Sequence, residues 1–259
     1  MSIICPWIMR ARPAAMAVLL GLLVAGCDSG SEVFSRTRQS SEPIAVVCTT
    51  GMVADVVRNV GGNQVQVTQL MGEGIDPHTY QSSTGDVTKL NDADMIFYSG
   101  LHLEANLQSV FDSLARSKPV FALTAELERW HRDRLIATAG DQHDPHVWFD
   151  VSLWKQTVRL VADRLADYDP KNARAYAKNA RAYMTKLDAL HDECQTELEK
   201  IPEGQRVMVT AHDAFHYFGK AYGIRVKAIQ GVSTAAEASL KHVEALVDDM
   251  VENKIRAVF

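Results

Sequence analysis

Residues 44–62 read IAVVCTTGMVADVVRNVGG, and this stretch decides the fold class. Residues 44–49 form a continuous apolar run of strand length, and residues 52–60 then carry apolar side chains at helical spacing. Gly61 and Gly62 end the helical pattern. A buried strand that leads directly into an amphipathic helix begins a strand–helix–strand unit, which predicts a parallel sheet covered by helices.

The same alternation continues on both sides of one long polar helix. Residues 172–200 carry Tyr176, Tyr183, Leu187 and Leu190 at helical spacing, with charges between them. At about 1.5 Å per residue this helix would extend roughly 40 Å, enough to act as a rigid strut between two lobes. The expected fold is therefore α/β, with two βα lobes and parallel sheets. Besides the first strand, we predict strands at 65–70, 95–98, 120–123, 207–210, 224–229 and 255–259.

The expected domain organisation has five parts. Residues 1–26 are a lipoprotein signal peptide, 27–42 a flexible Ser-rich tether, 43–168 the N-terminal lobe, 169–202 the linking helix and 203–259 the C-terminal lobe. The last predicted strand has nothing after it to cover it, so we expect the C-terminal lobe to be incomplete.

The N-terminus predicts export and lipid attachment. Arg10 and Arg12 precede an apolar run at 14–25, which is typical of a secretion signal and too short to span about 30 Å of hydrocarbon. The signal ends in LVAGC at 23–27, which resembles a bacterial lipobox. Cys27 is therefore expected to carry lipid and anchor the protein to a membrane, in the periplasm or on the cell surface. The alternative is ordinary signal cleavage that leaves Cys27 unmodified.

The charge balance bears on the class of partner, and the cysteines bear on whether the fold contains a disulfide. The chain has 27 Lys+Arg and 32 Asp+Glu residues, so it lacks the basic excess of nucleic-acid binders, and we expect no nucleic-acid partner. Cys48 and Cys194 are the cysteines in the expected folded part. Two free, buried or partly buried thiols are the preferred interpretation, and a disulfide between them is the alternative.

Three histidines lie at the ends of predicted elements, where α/β proteins build ligand sites. His78 lies in GIDPHTY after the second strand, His146 in DPHVWFD before a helix, and His212 in VTAHDAF at a strand end. Asp-Pro-His thus occurs twice. Neutral imidazole binds Zn²⁺ and other divalent first-row ions, and proline fixes φ on the approach to the ligand. These residues predict a metal site.

Neighbouring polar residues are expected to support the ligands. Asp76 and Asp144 each lie two residues before a histidine, where the carboxylate either accepts a bond from a ring N–H or caps the turn. His216 lies one helical turn after His212, but no HExxH glutamate accompanies the pair, so we expect a supporting role. His102 and Glu104 are likewise expected to line the cleft or cap a helix.

Longer motifs connect the chain to a known family. Five ordered stretches between residues 71 and 239 resemble the metal-binding receptors of ABC importers of the TroA and ZnuA type (cluster 9). The resemblance implies that His78, His146 and His212 are the first three metal ligands, with an acidic fourth ligand after residue 259. It also implies a cleft that captures Zn²⁺ or Mn²⁺ for delivery to the importer's membrane permease. The five stretches are MGEGIDPHTYQSSTGDVTKLNDAD, YSGLHLE, DPHVWFD, VTAHDAFHYFGKAYG and IQGVSTAAEAS.

Zinc is narrowly favoured over manganese. Three imidazoles suit Zn²⁺, whereas Mn²⁺ prefers a larger share of oxygen ligands, although the TroA-like branch is associated with both metals. Because Zn²⁺ is usually four-coordinate, we expect weaker binding without the fourth ligand. Bound imidazoles must be neutral, so metal affinity is expected to fall as the pH drops through about 6.5.

Two other functions stay open at this point. Three histidines around zinc with an open position activate water in some hydrolases. The ligand loops hold no evident general base, nucleophile or oxyanion motif, and Asp144 and Asp213 are the candidates for a base. An adhesin-like surface lipoprotein is the third interpretation. The preferred expectation is a monomeric transport receptor that is not an enzyme.

Overall fold

The computed structural model describes residues 42–255 and 257–259. The predicted signal peptide, Cys27 and nearly all of the predicted tether lie outside these residues. Within the described ranges, no helix has the length and apolarity that crossing a membrane requires. The described elements are β1 (Ile44–Cys48), α1 (Gly51–Gly61), β2 (Val65–Gln69), α2 (Thr84–Asp92), β3 (Met95–Tyr98), α3 (Gln108–Leu114), β4 (Val120–Ala122), α4 (Ala125–Trp130), α5 (Val151–Trp154), α6 (Thr157–Tyr168), α7 (Ala173–Glu199), β5 (Val207–His212), α8 (His216–Tyr222), β6 (Arg225–Gln230) and α9 (Leu240–Glu252).

The first sheet has the order β2-β1-β3-β4, and all of its strands are parallel. Side chains of a strand alternate between the two faces of a sheet. Ile44, Val46 and Cys48 of β1 accordingly join the larger core cluster, whereas Val47 joins the smaller one on the opposite face. The α/β class with parallel strands covered by helices is therefore confirmed.

The long helix forms as expected and contacts elements around both sheets. Helix α7 packs against α1, α5 and α6 beside the first sheet and against α8 beside the second. Its apolar stripe buries Tyr176, Ala180, Tyr183 and Leu187. The second sheet pairs β5 with β6 in parallel. The division of the chain into two lobes and a linking segment stays a prediction.

Three element predictions differ from the structure. The apolar pattern of 151–166 predicts one helix, whereas the structure has two, α5 and α6. Between them the Gln156 and Val158 N–H groups donate three residues back instead of four, to Leu153 O and Lys155 O. The helix predicted over 103–115 begins with a separate 3₁₀ turn, Ala105–Leu107. The described residues of 255–259 form no assigned strand. Phe259 alone pairs with β5: its N–H donates to Val209 O at 2.8 Å, and its carbonyl accepts from Ala211 N–H at 2.9 Å.

Helix α8 lies unusually close to the segment that follows it. A Cβ atom at Gly219 would lie 2.5 Å from the carbonyl oxygen of Ile224 and 2.9 Å from a methyl group of Val226. Such contacts require backbone shifts rather than rotation of a side chain. Gly219 therefore sets how closely α8, which carries His216 and Tyr217, packs on the second sheet.

We expect Gly219→Ala to lower the free energy of unfolding by about 1–3 kcal/mol, because the added methyl group overpacks this contact. The matched control is Gly204→Ala, since no atom lies within 4 Å of a Cβ at Gly204. Urea unfolding followed by circular dichroism measures both variants. Equal stability of the two variants would contradict the close packing of α8.

Candidate metal centre

The structure brings the three predicted histidines together. His78 follows β2, His146 precedes the 3₁₀ turn Val147–Phe149, and His212 ends β5. One ring nitrogen from each lies within 4.8 Å of the other two. His146 is fully buried, and His78 and His212 are partly buried. Residues separated by more than 130 positions therefore converge on one point, which lies beside both sheets.

The spacing of the ring nitrogens fits a single ion. Two nitrogens that each lie about 2.0–2.1 Å from a tetrahedral zinc are about 3.4 Å apart. His78 Nε2 and His146 Nε2 are 3.1 Å apart. The rings are tilted or edge-on to one another, with centroids 5.1 to 5.8 Å apart. The rings therefore converge through their edges, where the lone pairs lie, and not by stacking.

The two Asp-Pro-His loops share the same turn structure. Asp76 Oδ1 accepts a hydrogen bond from the backbone N–H of His78 at 2.9 Å, and Asp144 Oδ1 accepts from the N–H of His146 at 2.9 Å. A carboxylate that bonds to the backbone two residues later forms an Asx turn, and the intervening proline fixes φ inside it. The repeated tripeptide is thus a preformed turn that presents an imidazole.

Asp144 also orients the ring of its ligand. His146 Nδ1 donates to Asp144 Oδ1 at 2.7 Å. A proton held on Nδ1 leaves Nε2 with a free lone pair, which is the form that binds a metal. Asp76 makes no such ring contact, and its other oxygen, Oδ2, accepts from the Thr234 hydroxyl at 2.5 Å. Turn capping therefore occurs at both aspartates, and ring bonding only at Asp144.

His216 lies behind the site, outside the three-histidine cluster. Its Nε2 is 3.1 Å from Asp213 Oδ1, and its Nδ1 is 3.7 Å from Asp144 Oδ2. His216 thus lies between the carboxylate next to His212 and the carboxylate that orients His146. Its supporting role stays a prediction.

Glu104 and His102 also lie outside the cluster. The buried Glu104 carboxylate accepts hydrogen bonds from Thr49 Oγ1 at 2.6 Å, Ser99 N–H at 2.8 Å and Gly100 N–H at 3.2 Å. Burial raises the pKa of Glu104. Glu104 therefore ties the loop after β3 to the end of β1, and His102 is exposed to solvent. Neither residue caps a helix with its side chain.

Tyr217 of α8 connects the loop that carries His146 to the region of β5 and β6. Its hydroxyl donates to the Asp144 carbonyl oxygen at 2.9 Å and accepts from Ile136 N–H at 3.0 Å. Tyr217 is 1% exposed, so water does not reach this contact. Beside it, the rings of Phe149 and Phe215 pack at 4.1 Å between centroids. These contacts bury the boundary between the His146 loop and helix α8, beside the histidines. This boundary is the seam.

A cavity of about 630 Å³ opens onto the three histidines. Its wall is mostly apolar, and Trp148 meets His146 edge-on at 5.2 Å between ring centroids. Thr50 and Thr234 are among its polar lining residues. All three histidines line this cavity.

Sequence reasoning missed Thr234 and Tyr217. Both lie in stretches that resemble the family, but no local pattern marks them. Thr234 contacts a residue 158 positions away, and Tyr217 contacts one 73 positions away. Cys48 is buried and Cys194 partly buried, and both are free thiols, as the preferred interpretation of the cysteines predicted.

The comparisons with known proteins cover most of the chain. The family model described as zinc-uptake complex component A, periplasmic, matches residues 46–259. The manganese-binding lipoprotein MntA of Bacillus subtilis (strain 168) is 40% identical over 249 residues, which are 96% of this chain and 80% of that relative. The zinc-binding protein TroA of Treponema pallidum (strain Nichols) is 38% identical over 250 residues, 96% of this chain and 79% of the relative. The solved structure of the periplasmic zinc-binding protein TroA from T. pallidum matches with a TM-score of 0.80 and 40% identity, over 84% of this chain and 77% of that chain.

The electrostatic surroundings keep His78 neutral. Burial and the neighbouring His146 ring lower the pKa of His78 to about 4, although Asp76 opposes the shift. We expect NMR titration of the metal-free protein to give a His78 midpoint near pH 4, below the ordinary value of about 6.5. The imidazole is neutral above its pKa, so His78 would stay ready for a metal in mildly acidic solution. A midpoint at 6.5 would contradict the burial of this ring.

Tyr217→Phe is expected to lower the free energy of unfolding by about 1–3 kcal/mol, because it leaves the Ile136 N–H and the Asp144 carbonyl without their partner in a buried seam. Tyr80→Phe is the control. It removes one partly exposed bond to Asp86, which water can replace. Urea unfolding curves compare the two losses. A Tyr217→Phe loss no larger than that of the control would contradict the buried contact.

Proposed function

Because this chain belongs to the family of zinc-uptake complex component A proteins, we propose that it is an extracytoplasmic metal receptor. It captures Zn²⁺ or Mn²⁺ and delivers the ion to the membrane permease of an ABC-type importer. The relatives named above as zinc-binding or manganese-binding proteins match over nearly the whole chain, and they support this assignment.

The metal ligands of the proposal are His78, His146 and His212. The observation that carries it is the convergence of their ring nitrogens within 4.8 Å at the wall of a cavity. The Asx turns at Asp76 and Asp144 preorganise two of the three rings. Preorganised neutral imidazoles bind a divalent ion with little loss of side-chain freedom.

The proposal assigns a binding role and no catalysis. The matching family is described as a component of a zinc-uptake complex, and a receptor in such a complex needs to bind and release its ion. Of the two aspartates that the sequence offers as a base, Asp144 already orients His146, and Asp213 lies 3.1 Å from the ring of His216. The experimental check is an assay of metal-dependent ester and peptide hydrolysis. Turnover by the wild type that His146→Ala abolishes would refute the claim that the protein has no catalytic role.

The proposed location is outside the cytoplasm, at the periplasm or the cell surface. Cys27 would carry the lipid that holds the protein near the permease, and the Ser-rich tether at 27–42 would let the lobes reach it. We propose that the receptor acts as a monomer, since one chain supplies all three histidines. Mass spectrometry of the mature N-terminus tests the lipid at Cys27.

Zinc is the preferred ion of the proposal, because three nitrogen ligands bind Zn²⁺ more tightly than Mn²⁺ in the general affinity order. Metal analysis of the protein purified from its own compartment identifies the ion that it carries there. Manganese as the dominant ion would reverse the preference and leave the receptor role intact.

His146→Ala is expected to weaken Zn²⁺ binding at least about 100-fold, since changes in residues that merely support ligands already cost 10–100-fold. Isothermal titration calorimetry measures the affinity. His242→Ala is the matched control, because His242 is exposed on α9 and bonds to the Ala228 carbonyl outside the cluster. Unchanged affinity in His146→Ala would refute the proposed ligand set.

A further inference from the structure

The loop after β6 reaches across the cleft to the loop that carries His78. The Thr234 hydroxyl donates to Asp76 Oδ2 at 2.5 Å, while Asp76 Oδ1 accepts from the His78 backbone N–H at 2.9 Å. One carboxylate thus bridges the turn of a proposed ligand and a residue 158 positions later. Thr234 also lines the cavity that opens onto the histidines.

Residues 72–75 ahead of His78 are exposed, and the Asn106 amide donates to the His78 carbonyl oxygen at 3.5 Å, a long hydrogen bond. Gly74 has a positive φ of 78°, and no atom lies within 4 Å of a Cβ built there. Ile75 is 49% exposed although it is apolar. The bond to Thr234 is therefore a principal tie between this loop and the β6 side of the cleft.

A second polar contact, from Tyr217 to Asp144, differs from the Thr234–Asp76 bond in how deeply it is buried. Tyr217 and Asp144 are 1% and 0% exposed, so breaking their contact would leave buried groups unpaired. Thr234 and Asp76 are only half-buried, and water can take the place of either partner. The Tyr217–Asp144 contact is therefore buried and costly to break. The Thr234–Asp76 bond lies nearer the surface, where water can replace it at little cost.

From this asymmetry we propose that the Thr234–Asp76 hydrogen bond is the latch of the cleft. The latch holds the His78 turn against the bound ion, and release begins when it breaks, while the Tyr217 contact persists as the pivot. Thr234 is a positioning residue, because it acts on the metal through Asp76 and the His78 turn. The inference rests on the proposed function, since it assumes that His78 binds the ion.

The test is the rate of Zn²⁺ release from the mature protein into excess chelator, followed by stopped flow. Loss of one bond to a charged group corresponds to roughly a tenfold change in an equilibrium constant. We therefore expect Thr234→Val to release Zn²⁺ about tenfold faster, with little change in the association rate, because variants of one binding site differ mostly in their dissociation rates. Thr234→Ser keeps the hydroxyl and should restore slow release.

Ser233→Ala is the matched control, because Ser233 is an exposed hydroxyl residue in the same loop whose side chain bonds only locally, to Ala235 N–H. It should release Zn²⁺ at the wild-type rate. A merely structural role for Thr234 would change thermal stability without a selective change in the dissociation rate. Wild-type release from Thr234→Val, or fast release from Thr234→Ser, would overturn the latch.

His146→Ala in the same experiment separates the latch from the proposed function. If His146→Ala binds Zn²⁺ as tightly as the wild type, the ligand set is wrong and the latch falls with it. If His146→Ala loses binding and Thr234→Val releases at the wild-type rate, the receptor function stands and only the latch is overturned.

Discussion

The buried carboxylate of Asp144 is the group on which the rest of the site depends. It is 0% exposed, yet it accepts hydrogen bonds from the backbone and the ring of His146. A carboxylate taken out of water is stable only where such partners are in place. Its main chain is engaged as well: the N–H donates to Ile136 O at 2.8 Å, and the carbonyl accepts from Tyr217. Removing any of these partners would leave polar groups unpaired around the ligand.

The same region joins the two sheets. The ring contacts run from His146 to Trp148, Phe149, Phe215 and Phe218, with centroids 4.1 to 6.3 Å apart. Tyr222 of α8 continues them and meets His191 of α7, whose ring nitrogen lies 3.1 Å from the tyrosine hydroxyl. Aromatic pairs at such distances prefer specific tilts and resist sliding. These ring contacts and the long helix thus hold α8, beside the second sheet, against the His146 loop and α7.

The sequence predicted what depends on local pattern. Apolar runs belong to contiguous residues, so the six strands and the long helix could be found by spacing alone. The three histidines were singled out by the Asp-Pro-His repeat, by their place at the ends of predicted elements and by the resemblance to a family. The break between α5 and α6 could not be found by spacing, because the apolar pattern runs on unchanged through the tighter backbone hydrogen bonds that separate the two helices. Thr234 and Tyr217 were missed because their partners become neighbours only after the chain has folded. An ordinary threonine or tyrosine carries no sign of such a contact.

Charge gives a reason why each of two proposed ligands is paired with an aspartate. Three neutral imidazoles leave the +2 charge of a bound ion uncompensated, and an uncompensated charge in a partly buried cavity is costly. Burial raises the pKa of Asp76, but the hydrogen bonds from Thr234 and His78 outweigh it and lower the pKa overall. Asp76 therefore stays ionised two residues before His78, and Asp144 lies two residues before His146. The first Asp-Pro-His unit thus combines a proposed ligand, the turn that presents it and a negative charge that does not itself need to coordinate, whereas the second adds a bond that orients the ring.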